Sequence, residues 1–135
     1  MAIYGWSEVE DLTRKLAEKM DFKPDLIVGI PRGGVIPARL LARELGVKKM
    51  YFVTVVKKDG GRIVTTKIVE DLSGKGVLLV EDMLESGESL IEAKKYLLYL
   101  GAVVKTAAYF TSPYSKITPD YFIGAAREDV KFPWE

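Results

Sequence analysis

The chain contains two short runs with no polar side chain, Leu26-Ile27-Val28-Gly29-Ile30 and Val77-Leu78-Leu79-Val80. A strand with one solvated face alternates apolar and polar residues, because successive side chains point to opposite sides of the sheet. A strand that does not alternate needs cover on both faces, and a parallel sheet flanked by helices provides it. The surrounding segments supply those helices. Val9, Leu12, Leu16 and Met20 recur at helical spacing, which predicts a helix from about Glu8 to Met20. Ser7-Glu8-Val9-Glu10 has the form of a capping box at its start. Pro37 suits the first turn of a second helix that ends before Gly46. A third is expected from about Ser89 to Leu100, closed by Gly101. Met50 to Val56, Val103 to Phe110 and Tyr121 to Ala125 read as further strands. Asp59-Gly60 has the chemistry of a reversing turn, so Arg62 to Val69 is expected to return as the partner of a projecting hairpin. The expected class is α/β, a single domain over residues 1–135 with a mostly parallel, twisted sheet flanked by helices.

Composition narrows the chemistry. The net charge of +1 comes from 20 basic and 19 acidic residues spread along the chain. That balance leaves no footprint for nucleic acid or an anionic membrane. Apolar runs fall short of a membrane span and no signal-peptide layout opens the chain, so a cytoplasmic protein is expected. Without cysteine or histidine there are no disulfides, thiolate nucleophiles, His–metal sites or His-based triads. Asn and Gln are absent too, while Lys, Glu and Arg are plentiful. This bias points to a heat-adapted source.

Val80 leads directly into Glu81-Asp82, and Glu85-Ser86-Gly87-Glu88-Ser89 then opens a helix. Adjacent carboxylates at a strand end can accept hydrogen bonds from a diol or gather a hard cation such as Mg2+. Ser86 and Ser89 offer hydroxyl donors, Gly87 lets a ligand approach the backbone, and the helix start presents unpaired N–H groups to a phosphate. Taken singly, these residues also suit solvated loop acids and a serine N-cap. Together their order fits a diol and a phosphate on one ligand, as in ribose 5-phosphate. A second loop, Pro31-Arg32-Gly33-Gly34, follows the first buried run. It reads either as a plain strand-to-helix turn or as a second half of the same site.

The stretch from Val77 to Ser89 resembles the motif that binds 5-phosphoribosyl pyrophosphate (PRPP) in type I phosphoribosyltransferases. The family pattern is an apolar run, two acids, two mostly apolar residues, then Asp-Thr-Gly-x-Thr. Ile30 to Pro37 is similar to the Ser-Arg-Gly-Gly loop of the xanthine–guanine and hypoxanthine (6-oxopurine) subgroup. The likeness continues through Leu40 to Gly46, and the spacing of about fifty residues between the loops also fits. The resemblance implies that Glu81 and Asp82 hold the ribose hydroxyls and Mg2+, with Asp82 nearer the metal. Glu85, Ser86, Gly87, Glu88 and Ser89 would form the 5′-phosphate loop, the side chain of Glu88 pointing away from the phosphate. Arg32, Gly33 and Gly34 would bind pyrophosphate, with a cis Pro31–Arg32 bond. Glu85, Asp82 and Arg32 carry the implied catalysis, Glu85 replacing the usual Asp as general base or electrostatic stabiliser. A small hood over the sheet and a homodimer or larger oligomer are implied as well.

The resemblance thins at the nucleobase. Ser112 falls where the subgroup has a base-binding lysine, and Asp129 where it has a stacking tryptophan. Val130 can still offer backbone contacts to the base, and Trp134 is either a substitute stacking group or part of the tail packing. Lys57 and Lys58 on the hairpin either close over pyrophosphate or protect a sheet edge. Two functions follow. One is an Mg2+-dependent transfer of the phosphoribosyl group from PRPP to a nucleobase, with a 6-oxopurine the best match. The other is a non-catalytic module of the same fold that senses PRPP or a nucleotide.

Overall fold

A computed structural model describes the whole chain, Met1–Glu135. Its elements run β1 (Ala2–Ile3), α1 (Trp6–Glu18), β2 (Leu26–Gly29), α2 (Val35–Leu45), β3 (Met50–Phe52), β4 (Val55–Lys58) and β5 (Gly61–Val64). They continue with β6 (Gly76–Val80), β7 (Met83–Leu84), α3 (Glu88–Tyr99), β8 (Val103–Ala107), β9 (Phe110–Thr111), β10 (Gly124–Ala125) and β11 (Val130–Lys131).

The central sheet has four parallel strands in the order β3-β2-β6-β8. Its two inner strands are the two runs without polar side chains, and both faces are covered as that pattern requires. Ile27, Leu78 and Val80 pack with Val9 and Leu16 of α1 and Ala38 and Leu41 of α2. Leu26, Val28, Val77 and Leu79 face the other way, onto Leu90, Ala93 and Leu97 of α3. Each fully buried leucine of this sandwich contributes roughly 1.5–3 kcal/mol through removal from water.

Chain direction decides where a ligand can sit. From β2 the chain crosses through α2 to β3 on one side, and from β6 it crosses through α3 to β8 on the other. The crevice between β2 and β6 is therefore the point where strand order reverses, which is where open α/β sheets bind ligands. Gly29 is paired with Val80 at that edge, so the loops after both strands start side by side.

Several local expectations shift. α1 starts at Trp6 because the Glu8 carboxylate, not that of Glu10, reaches back to the Gly5 N–H at 2.9 Å. The second helix does end on Gly46, which has the left-handed φ of 69°. The hairpin forms, with Lys57 opposite Arg62, but its return strand ends at Val64 instead of Val69. The strand expected from Val103 to Phe110 breaks after Ala107. Phe110 and Thr111 instead join β7 and β10 in a separate three-stranded sheet. Tyr121 makes only an isolated bridge to Ala107.

Candidate active site

Beyond the carboxyl ends of β2 and β6 lies a cleft of about 680 Å3. Arg32 and Gly33 line it from the loop after β2, and Glu81, Asp82 and Met83 from the loop after β6. Glu85 to Ser89 form the wall at the start of α3, with Arg62 reaching in from the hairpin and Trp134 and Glu135 from the tail. Every residue assigned from sequence to the ribose, the 5′-phosphate and catalysis lines this one cleft. Gly34 sits just behind it. The Pro31–Arg32 peptide is cis, as the resemblance implied.

The two glycines of the first loop have separate reasons to lack a side chain. A Cβ on Gly33 would lie 2.5–2.6 Å from the Asp82 carboxylate. A Cβ on Gly34 would collide with backbone, the Ile30 N and O at 2.7 Å and the Val80 carbonyl. The loop after β2 thus lies against the acid that leaves β6. That contact joins the two motifs.

The phosphate wall is built from α3 outward. Gly87 adopts φ 78°, and the Ser86 hydroxyl accepts the Glu88 N–H at 3.3 Å. The segment after β9 braces it from below. The Ser112 hydroxyl donates to the Glu85 carbonyl at 2.6 Å, and the Lys116 N–H donates to the Ser86 carbonyl at 2.8 Å. Ser112 therefore supports the loop and does not line the cleft. Val130 does not line it either, since it pairs with β1 and packs on the core. Lys57 and Lys58 are exposed and do not line the cleft, although Lys57 lies near enough to Glu88 to help hold its carboxyl down.

Charge is divided across the cleft. Burial, reinforced by Asp82 and Glu85, pushes the Glu81 carboxyl up to about 8. Burial also raises Asp82, opposed by hydrogen bonds from the Trp134 indole and the Met83 N–H. No lysine or arginine pairs with Glu81, Asp82 or Glu85. A cation arriving there would relieve both the repulsion and the burial cost of charge. No three carboxylates converge on one point, so the protein builds no closed metal cage. Such a donor set fits Mg2+, which keeps waters and takes one or two carboxylates together with substrate oxygens.

The sequence matches the phosphoribosyl transferase domain family over residues 3–135. The chain belongs to that family. This phosphoribosyltransferase is 30% identical to a xanthine-guanine phosphoribosyltransferase of Vibrio vulnificus (strain YJ016) over 140 residues. That alignment covers 98% of this chain and 88% of the relative. A purine phosphoribosyltransferase from Pyrococcus horikoshii Ot3 superposes with a TM-score of 0.90 at 33% identity, covering 99% of this chain and 93% of that one. The Helicobacter pylori xanthine-guanine-hypoxanthine enzyme shares the fold at TM-score 0.86 and 21% identity, over 99% of this chain and 92% of its own.

Four lining residues of the phosphoribosyltransferase's cleft, Arg62, Met83, Trp134 and Glu135, lie outside the set that the sequence assigns to it. Arg62 reads in the sequence only as the start of the return strand; its place in the cleft follows from the docking of the hairpin on α3, where its Nη1 lies 3.1 Å from the Glu88 carboxylate. For Trp134 the sequence allows either stacking on a base or packing in the tail. It stacks on Phe132 (centroids 4.8 Å apart, planes at 12°) while its indole N–H donates to Asp82 Oδ2 at 3.1 Å.

Proposed function

We propose that this phosphoribosyltransferase moves the 5-phosphoribosyl group of PRPP onto a ring nitrogen of a 6-oxopurine, giving a nucleoside 5′-monophosphate and pyrophosphate. The observation that carries the proposal is the meeting of Arg32-Gly33 and Glu81-Asp82 across the β2–β6 crevice, with the amide-rich start of α3 as the third wall. In it the 5′-phosphate lies on Ser86 to Ser89, the ribose hydroxyls on Glu81 and Asp82, and pyrophosphate on Arg32, Gly33 and Gly34. Arg62 covers the phosphates from the hairpin.

Bond changes are confined to C1′ of the sugar. Its bond to pyrophosphate oxygen breaks, the bond to purine nitrogen forms, and the purine N–H proton leaves. Positive charge grows on the sugar ring as the leaving group departs, so fixed negative charge on that side lowers the barrier. Glu85 supplies it and can accept the purine proton. Arg32 meets the charge growing on pyrophosphate with a planar fork of donors. Mg2+, held by Asp82 and Glu81, supplies further neutralisation of the pyrophosphate when bound. Positioning, not covalent attack, is the protein's contribution.

A cytoplasmic, heat-adapted, oligomeric enzyme of purine salvage completes the reading. Two ion-pair networks, Lys49–Glu70–Lys75 and Arg62–Glu88–Lys116, support the thermal part. The deciding experiment incubates the protein with PRPP, Mg2+ and guanine, hypoxanthine, xanthine, adenine or uracil and follows pyrophosphate release. Release with a 6-oxopurine is expected, and it should fall by at least about a hundredfold in Arg32→Ala. PRPP binding without release on any base would replace the transferase by a non-catalytic PRPP sensor.

A further inference from the structure

Glu88 is out of place by simple electrostatics. It puts a carboxylate in a loop proposed to hold a phosphate, where like charges repel. Its position as the first residue of α3 suits the positive helix end, but that alone does not account for its partners. Two cations from separate segments hold it: Arg62 Nη1 at 3.1 Å from one oxygen and Lys116 Nζ at 2.7 Å from the other. Both keep its carboxyl below the usual range, Lys116 first.

The two cations differ in what the contact does for them. Lys116 is already fixed through its backbone bond to Ser86, and its side chain is 64% exposed. Arg62 is 19% exposed and belongs to a two-stranded sheet whose strands pair only with each other. An isolated hairpin is marginal in water and needs docking. Val55 and Val64 pack its base onto the α3 side of the core, while Val56 and Ile63 stay exposed. The ion pair of Arg62 with Glu88 is the charged tie between its outer part and α3. It engages one guanidinium nitrogen, which leaves other donors of the fork for a ligand in the cleft.

We infer that Glu88 is a positioning residue, a latch that docks the β4–β5 hairpin on the phosphate loop and holds Arg62 over the cleft. Its effect on substrate rests on the proposed binding of PRPP there; its effect on the hairpin does not.

The two accounts of Glu88 predict opposite signs. If it acts only as a negative charge near the phosphate, Glu88→Gln tightens PRPP binding. If it positions Arg62, Glu88→Gln weakens PRPP binding by about fivefold. It then raises KM for PRPP while leaving kcat and KM for the purine unchanged. Arg62→Ala should weaken binding further, and adding Glu88→Gln to it should cost nothing more, because the two act as a unit. Calorimetric titration with PRPP and Mg2+ reads all three variants. Tighter or unchanged binding in Glu88→Gln, or additive losses in the double variant, would overturn the latch. Hydrogen exchange on the protein without ligand gives a separate test: amides of residues 57–62 should exchange faster in Glu88→Gln, and unchanged exchange refutes the docking. If wild type exchanges as expected but binds no PRPP, the functional reading fails and the latch stands.

Discussion

The indole N–H of Trp134 donates to Asp82 Oδ2 at 3.1 Å, tying the last turn of the chain to the acid that leaves the central sheet. The other carboxylate oxygen of Asp82 accepts the Met83 N–H at 2.6 Å. Both oxygens are thus oriented before any ligand arrives. Hydrogen bonds to charged groups contribute roughly 1.5–3 kcal/mol. Trp134→Phe keeps a ring on Phe132 but removes the donor, so Mg2+–PRPP affinity should fall about tenfold or more, with little change in Tm. Titration calorimetry beside a melting curve checks this; unchanged affinity would show that Asp82 needs no holding.

Gly33 and Gly34 are neighbours with different roles, and alanine separates them. At Gly33 the added methyl meets the Asp82 carboxylate, a side chain that can move, in an open cleft. Gly33→Ala should fold with nearly wild-type stability and lose most PRPP binding. At Gly34 the methyl meets backbone of Ile30 and Val80 inside the sheet edge. Gly34→Ala should destabilise by about 1–3 kcal/mol, read from denaturant unfolding. Equal stability losses in both variants would contradict this division.

The central sheet was legible because Leu26 to Ile30 and Val77 to Val80 lack alternation, a local signal with one structural solution. The strands that were missed, β1, β7 and β11, have two residues each and leave no periodicity. They exist because a distant segment lies alongside. The acid pair and the serine loop were legible for a similar reason, since strand, loop and helix start are contiguous. Arg62, Lys116 and Trp134 reach the site from separate segments, and their arrival depends on hairpin docking and tail packing. The charge of Glu88 was visible, but the two cations that hold it were not.

Glu70 sets an acid limit on stability away from the cleft. Its carboxylate accepts bonds from Lys75 at 2.8 Å, Tyr51 at 2.6 Å and Lys49 at 2.9 Å. These three, Lys75 foremost, hold its carboxyl down from 4.5 to about 2. A carboxyl depressed in the folded state stabilises it above the unfolded value, and that contribution fades as pH falls from about 4.5 towards 2. Glu70→Gln should therefore melt lower than wild type at pH 7, with a gap that narrows below pH 4.5. A gap as wide at pH 3 as at pH 7 would mean that charge is not the source of the effect.

Thr13 and Tyr109 form a buried hydroxyl pair at 2.6 Å between α1 and the strand layer, with 1% and 0% of their surfaces exposed. The single Thr13 hydroxyl proton is directed to the Val9 carbonyl at 2.8 Å, so the phenol is the donor between the two. This direction makes the variants unequal. Tyr109→Phe removes a donor and leaves the Thr13–Val9 bond intact, costing about 0.5–1.5 kcal/mol. Thr13→Val strands a buried phenol proton without an acceptor and should cost about 1–3 kcal/mol. With both hydroxyls gone nothing is stranded, so the double variant should lose less than the sum of the singles. Burial also pushes the Tyr109 phenol up from 10 to about 12, so the folded state loses stability as pH rises from 10 towards 12. Tyr109→Phe should lose less over that range. Denaturant unfolding of the four proteins at pH 7 and above 10 measures both effects, and a larger loss in Tyr109→Phe than in Thr13→Val would reverse the assigned donor.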